Sequence, residues 1–241
     1  MRWIYISAHL DDAVLSCGGL IWEQCHAGTP VEIWTVVCGF PPAGPLSDFA
    51  RVLHFLWGTG TAEDTVALRR EEDRLAARIL SATVVHFDVP DSIYRRSAKG
   101  EPLYEDVFMP IHPSENDMPE EIAASLAGKV KPDDTLVCPM TIGGHVDHVI
   151  VHHAVERLGR PLLYYPDVPY VLNHPDELVS VTSDMKALVY PVSEDGLHTW
   201  QEGIAAYASQ ISTLFESPEG MREAIRAYWQ KDSGIYLWQK Q

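Results

Sequence analysis

Two short clusters hold the residue types that could do chemistry. His9-Leu10-Asp11-Asp12 comes directly after the apolar run Trp3-Ile4-Tyr5-Ile6, and His145-Val146-Asp147-His148 follows Cys138-Pro139 and a glycine pair. Imidazole and carboxylate are the nitrogen and oxygen ligands that suit a catalytic divalent metal such as zinc. Each cluster sits between an apparent strand and an apparent helix. In open parallel α/β sheets the carboxyl ends of the strands border the ligand crevice, so two such motifs can meet in space although distant in sequence. His9, Asp12 and His148 then make a two-His, one-carboxylate set with a position left for water, as in hydrolytic zinc sites. A purely structural role, an Asp capping the following helix, accounts for one aspartate but not for two beside a His. His148 could also pair with His152 on one helix face; His152 lies a turn inside a mostly apolar helix and reads as structural, as does His153.

The elements that must position these clusters read as alternating strands and helices. After the first strand, a helix runs to about residue 27, with Gly18-Gly19 inside it. Glycine costs helix stability, so a close backbone approach is the expected reason for the pair. A β-branched strand follows over 31–38, completing one βαβ unit. Residues 39–61 form a long irregular segment bearing Phe40, Phe49, His54, Phe55 and Trp57; an ordered lid over the crevice and a packed excursion both fit. A helix over 63–80 is expected to bury Leu68, Leu75, Ala76, Ile79 and Leu80. A strand over 83–89, an aperiodic stretch over 92–116, a helix over 118–130 and a strand over 135–139 lead to the second cluster and its helix. Strands near 161–165 and 187–190 and two helices, 198–214 and 218–231, close the chain. Trp200, Trp229 and Trp238 read as core or oligomer contacts. No repeat or domain boundary is visible, so residues 1–241 are expected to form one α/β domain with a mostly parallel sheet.

Composition narrows the partners. The net charge of −16 argues against nucleic acid and against an anionic membrane surface. No run approaches the roughly 18 apolar residues of a transmembrane helix, and no secretory signal is visible. Cys17, Cys25, Cys38 and Cys138 contain no Cys-x-x-Cys pair and read as reduced thiols of a cytoplasmic protein.

The motif order resembles the PIG-L/LmbE-like family of zinc-dependent N-acetylglucosaminyl deacetylases. The resemblance rests on Ala8-His9-Leu10-Asp11-Asp12 with Gly18-Gly19, Arg69-x-x-Glu72, Pro90-Asp91-Ser92-Ile93-Tyr94-Arg95, His145-x-Asp147-His148 and Tyr207-Ala208-Ser209-Gln210, and it spans the whole chain. It implies a Rossmann-like three-layer sandwich and a hydrolase that removes an N-acetyl group from an amino sugar or glycoconjugate. His9, Asp12 and His148 are the implied ligands of Zn2+, with Fe2+ as the other candidate metal. Asp11 is the implied general base for a zinc-activated water. His145 is the candidate donor to the oxyanion, oriented through its other ring nitrogen by Asp147, and either Asp11 or His145 protonates the leaving amine. Arg69, Asp91, Tyr94 and Arg95 are candidates for substrate binding.

The chain departs from the common family pattern at Leu10, where most members have Pro, and at Ala13, where they have Glu. Gly143 stands where some members place a Tyr. Leu10 and Ala13 are not ligands, so those two departures touch sugar specificity, while Gly143 removes one possible polar contact to the reaction intermediate. An esterase or amidohydrolase acting on a non-sugar is the alternative enzyme. A non-catalytic sugar- or nucleotide-binding module is the alternative outside enzymes. Against it, the first turn lacks Gly-x-Gly-x-x-Gly and carries carboxylates that would repel phosphate.

Overall fold

Strand β1 (Trp3–Ser7) lies at the centre of the sheet, and its burial pattern explains its composition: Ile4, Tyr5 and Ile6 are wholly buried because helices cover both faces. The structure is a computed structural model describing residues 1–241. After β1 come α1 (Asp12–His26), β2 (Val31–Gly39), α2 (Asp48–Leu56), α3 (Ala62–Ile79), β3 (Thr83–Pro90), α4 (Met118–Ala127), β4 (Thr135–Pro139) and α5 (Val146–Glu156). The remainder is β5 (Leu162–Tyr165), α6 (Tyr170–Asn173), α7 (Pro175–Val181), β6 (Met185–Pro191), α8 (Glu194–Ala205), α9 (Ala208–Phe215), α10 (Pro218–Gln230) and β7 (Gly234–Lys240).

The seven strands run in the order β3-β2-β1-β4-β5-β7-β6. The first five are parallel, and β7 lies antiparallel to both β5 and β6. From β1 the chain moves outward one way through β2 to β3, then returns to β4 and moves the other way. Right-handed crossovers therefore put α1 and α3 on one face and α4 and α5 on the other. The helix α8 joins α1, α3 and α10, giving a three-layer α/β sandwich. The reversal of strand order falls between β1 and β4, which pair directly from Trp3 opposite Thr135 to Tyr5 opposite Val137. Both His/Asp clusters thus emerge side by side at the switch point, where open sheets leave a crevice.

Gly18 and Gly19 permit the close approach expected of them. A Cβ on Gly18 would stand 2.4 Å from Cδ1 of Trp200, and one on Gly19 2.8 Å from Val192. Trp200 of α8 is fully buried there and donates its indole N–H to the Val14 carbonyl at 2.7 Å. Trp229 is also a core residue, whereas Trp238 is half-buried on β7.

Three expectations are corrected. Helix α3 buries Ala76 and, at its end, Leu80 as expected, but Leu68 and Leu75 are exposed, and the inward face carries Thr65, Val66, Arg69, Glu72, Asp73, Ala76 and Ala77. The helix expected over 198–214 is broken at Tyr207. There the Tyr207 hydroxyl donates to buried Asp73 at 2.6 Å, and Glu72 accepts from the backbone and hydroxyl of Ser209. Strand β7 was not foreseen; it pairs with β6 along its length, from Gly234 opposite Pro191 to Lys240 opposite Met185. Within 39–61 lies a helix, α2, capped by Ser47 and packed through Ala50 and His54. No helix is long and apolar enough to cross a membrane, and all four cysteines are free.

Packing at Gly18 gives a first prediction. Gly18→Val forces two methyl groups toward the Trp200 ring and is expected to cost about 1–3 kcal/mol. The check is the urea midpoint at constant m-value; an unchanged midpoint would show that α8 gives way freely.

Candidate active site

The turn after β1 is built by its own side chains. Ser7 accepts the Ala13 N–H at 3.0 Å and donates its hydroxyl to the His9 carbonyl at 2.6 Å, so serine supplies the cap of α1. Asp11 occupies the capping position without making a side-chain cap. Asp12 accepts the His9 N–H at 2.6 Å. Both carboxylates are therefore free to face the crevice, which removes the capping explanation for them.

The second motif meets this turn. His148 Nε2 stands 3.4 Å from Asp12 Oδ1, and His9 Nδ1 stands 3.6 Å from Asp12 Oδ2. The far nitrogen of each imidazole meets a fully buried carboxylate. His148 Nδ1 lies 2.8 Å from Asp167 Oδ1, and His9 Nε2 lies 3.1 Å from Asp147 Oδ2. Such carboxylate–histidine pairs fix ring orientation and tautomer in metal sites. His145 completes a convergence of three rings: nitrogens of His9, His145 and His148 lie within 4.8 Å of one another, as do ligand atoms of His9, Asp91 and Asp147.

Electrostatics separates the two adjacent aspartates. Asp11 has a fixed counter-ion in Arg69, whose Nη2 is 3.4 Å away, whereas Asp12 faces only imidazoles. Burial and the neighbouring Asp12 push the Asp11 carboxyl up to about 6. Burial opposes ionisation of Asp12 as well, but His148 and His9 hold it well below the usual carboxylate range. For His148, burial opposes the charge, yet Asp12 and Asp167 raise it to about 10. Burial together with His9 and His148 holds His145 well below its ordinary value, which favours the neutral ring.

These groups floor an open cavity of about 180 Å³, walled by Leu53 and Trp57 after β2, Ile93, Tyr170 and Leu214. The segment 39–61 therefore borders the crevice, through the inner end of a packed helix. Arg69 and Asp91 both reach the cavity; Arg69 lies over the Trp57 ring at 5.0 Å, and Asp91 also caps the turn at Ser92–Tyr94.

Three expected roles meet a different geometry. Asp147 does not orient His145 through its carboxylate. Its backbone N–H donates to His145 Nδ1 at 3.1 Å, while the carboxylate is taken up by His9, the Ser92 N–H and Arg95. Tyr94 is not brought to the cavity, because its hydroxyl meets His54 Nε2 at 2.7 Å beneath α2. Arg95 also lies outside it, buried between Asp147 and Glu115. His152 Nδ1 faces the Pro139 carbonyl at 2.8 Å, away from the cluster.

Several site residues gave no signal in the sequence. Asp167 sits in an ordinary Pro-Asp-Val-Pro turn, and Tyr170 fills the space that a side chain at Gly143 would need: a Cβ there would be 2.6 Å from the Tyr170 ring. Gln210 lay inside a recognisable motif, and it lines the cavity with its amide held by Ser209.

Residues 4–158 match the PIG-L family, described as GlcNAc-PI de-N-acetylase. A 2'-N-acetylparomamine deacetylase of Niallia circulans is 31% identical over 98% of this chain and 93% of its own. Among solved structures, the zinc-inhibited form of a teicoplanin deacetylase superposes with a TM-score of 0.84 at 26% identity, covering 99% of this chain and 97% of that one. An A40926 pseudoaglycone deacetylase gives a TM-score of 0.74, also at 26% identity, over 99% of this chain and 96% of its own. The chain belongs to the PIG-L family. It is an N-deacetylase, with a His/Asp cluster of the kind that holds a divalent metal.

The placement of Tyr94 is open to direct test. Tyr94→Phe is expected to leave KM unchanged and to cost about 1–2 kcal/mol of stability through the lost bond to His54. A rise in KM with unchanged stability would return Tyr94 to the substrate.

Proposed function

We propose that the chain removes an N-acetyl group from an amino sugar or glycoconjugate, with His9, Asp12 and His148 holding zinc and Asp11 acting as general base. The observation that carries this reading is Asp12, a buried carboxylate set between two carboxylate-backed imidazoles with no Arg or Lys of its own. Two nitrogens and one oxygen of this kind fit Zn2+, and Fe2+ would find the same donors acceptable. Bound there, the cation supplies Lewis acidity, lowering the pKa of water and polarising the acyl carbonyl.

The remaining chemistry falls to the chain's own groups. Asp11, beside Asp12 on the cavity floor, accepts a proton as water adds to the amide carbon; its raised pKa suits a base that must later give the proton back. With Nδ1 accepting the Asp147 N–H, His145 carries its hydrogen on Nε2 and donates it to the developing oxyanion. A neutral imidazole is a donor and not an acid, which leaves Asp11 to protonate the departing amine. The C–N bond breaks, and acetate and free amine leave. Arg69 and Asp91 are the polar groups best placed to read sugar hydroxyls, and Gln210 adds a third.

The substrate class rests on relatives named for N-acetylparomamine and teicoplanin. Near-complete coverage of the paromamine relative supports residues 1–241 acting as one deacetylase domain. Four free thiols fit a reducing, cytoplasmic setting.

Two measurements test the reading. Acetate release across N-acetylated amino sugars and simple acyl esters, with and without a chelator, is expected to be confined to the sugars and abolished by chelation. Faster turnover of the esters would instead support the esterase alternative. His9→Ala and His148→Ala are expected to lose bound metal. Asp11→Asn is expected to keep metal while kcat falls by about 10²–10⁴, and full turnover by that variant would remove the proposed base.

A further inference from the structure

Between β3 and α4, residues 92–116 look on sequence like a substrate-reading loop, yet their most buried charges point away from the cavity. Arg95 is 6% exposed, and Glu115 is 5% exposed. Arg95 Nη1 stands 2.6 Å from Asp147 Oδ1, and its Nε stands 2.9 Å from Glu115 Oε1. Tyr104 stacks under the guanidinium at 5.2 Å and donates its hydroxyl to Glu115 Oε2 at 2.6 Å. On its other oxygen, Asp147 faces His9 Nε2 at 3.1 Å and accepts the Ser92 N–H at 3.1 Å. A chain of contacts thus runs Tyr104, Glu115, Arg95, Asp147, His9, and its last member is a proposed metal ligand.

We propose that Arg95 is a positioning residue for the metal centre: it anchors Asp147, and Asp147 aims the His9 ring. This rests on the reading of His9 as a ligand. A fully buried aspartate without a fixed cation would draw the His9 ring and its proton to itself or turn away from the site. With Arg95 engaging Oδ1, Asp147 keeps Oδ2 for the His9 N–H, and Nδ1 of that ring stays turned toward Asp12. The guanidinium meets both carboxylates at ion-pair distance without aligned hydrogen bonds from Nε or to Asp147 Oδ1. Charge and reach, more than fork geometry, therefore make the contact.

The test is zinc affinity, measured on metal-free protein by competition with a chromophoric chelator, with folding followed by circular dichroism. Loss of an outer support of this kind weakens metal binding by about 10–100-fold, and that is the loss expected of folded Arg95→Met. Arg95→Lys, which keeps the charge, is expected to lose less. In an Asp147→Asn background the Arg95→Met change is expected to weaken zinc no further, because both act on the same ring. A merely structural role would lower thermal stability and leave the affinity of the folded protein at the wild-type value, and that outcome overturns the proposal. Losses that multiply in the double variant overturn it too. If Arg95→Met does not fold, Arg95→Gln, which also removes the charge, decides: weaker zinc binding by the folded protein supports the proposal, and wild-type affinity ends it. His9→Ala separates the two levels. Wild-type zinc affinity in His9→Ala defeats the ligand reading itself. Loss there, with none in the Arg95 variants, defeats only the role given to Arg95.

Discussion

Burying like charges around one point is the constraint to which the rest of this structure answers. Asp11, Asp12, Asp91, Asp147 and Asp167 are all buried around the mouth of β1 and β4. A buried carboxylate is tolerated only when paired and hydrogen-bonded. Fixed cations serve two of the five, Arg69 for Asp11 and Arg95 for Asp147. Backbone donors relieve others: the Ile93 N–H reaches Asp91, and the Ile142 N–H reaches Asp167. Asp12 too accepts a backbone donor, the His9 N–H, but it alone of the five is set between two imidazoles, those of His9 and His148, with no fixed cation. A site that leaves one buried anion facing neutralisable rings at a crevice is one prepared for a cation.

That constraint also explains which parts of the chain were readable in advance. His9, Asp11, Asp12 and His148 stood out because chemistry-bearing residues followed apolar strands, and parallel topology does bring such strand ends together. The glycine pair was legible because helices avoid glycine without a packing reason, and Trp200 is that reason. Helix α3 was misread because burial was assigned by hydropathy. Arg69, Glu72 and Asp73 turn inward since each has a partner supplied from elsewhere in the fold, and Leu68 and Leu75 are left outside. Partners distant in sequence leave no periodic trace. Asp167 and Tyr170 were invisible for the same reason, each being an isolated residue given meaning by its neighbours. Arg95 and Tyr94 adjoin Asp91 in a suggestive segment, yet the turn at Ser92–Tyr94 sends Asp91 and Ile93 to the cavity and leaves Tyr94 and Arg95 outside it.

The polar face of α3 ties the far wall to the floor. Asp73 collects the Tyr207 hydroxyl, His86 and Thr35, while Glu72 holds Ser209. These bonds fall where α8 gives way to α9, so the break in the closing helices is fixed by the same helix that carries Arg69 one turn earlier. Gln210 and Leu214 on α9 are thereby set against the cavity in a fixed relation to Arg69 and Asp11. A wall and a floor drawn from opposite ends of the chain share one rigid support, which suits a reaction needing its amide held still while a proton is moved.

The same fold in another setting would bind phosphate at this place. The N-terminus of a helix following the first strand offers free N–H groups and the positive end of the dipole, which together favour an anion. Here that position is already taken: Asp12 opens α1, and Ser7 occupies the Ala13 N–H. The helix end therefore stabilises the protein's own carboxylate instead of a ligand's phosphate, and the anion so held is presented outward to a cation. His145 makes the parallel use of α5, where the Asp147 N–H is spent on its ring. With both helix ends committed to side chains of the site, the switch point cannot cradle a nucleotide. It can polarise a small neutral group such as an amide.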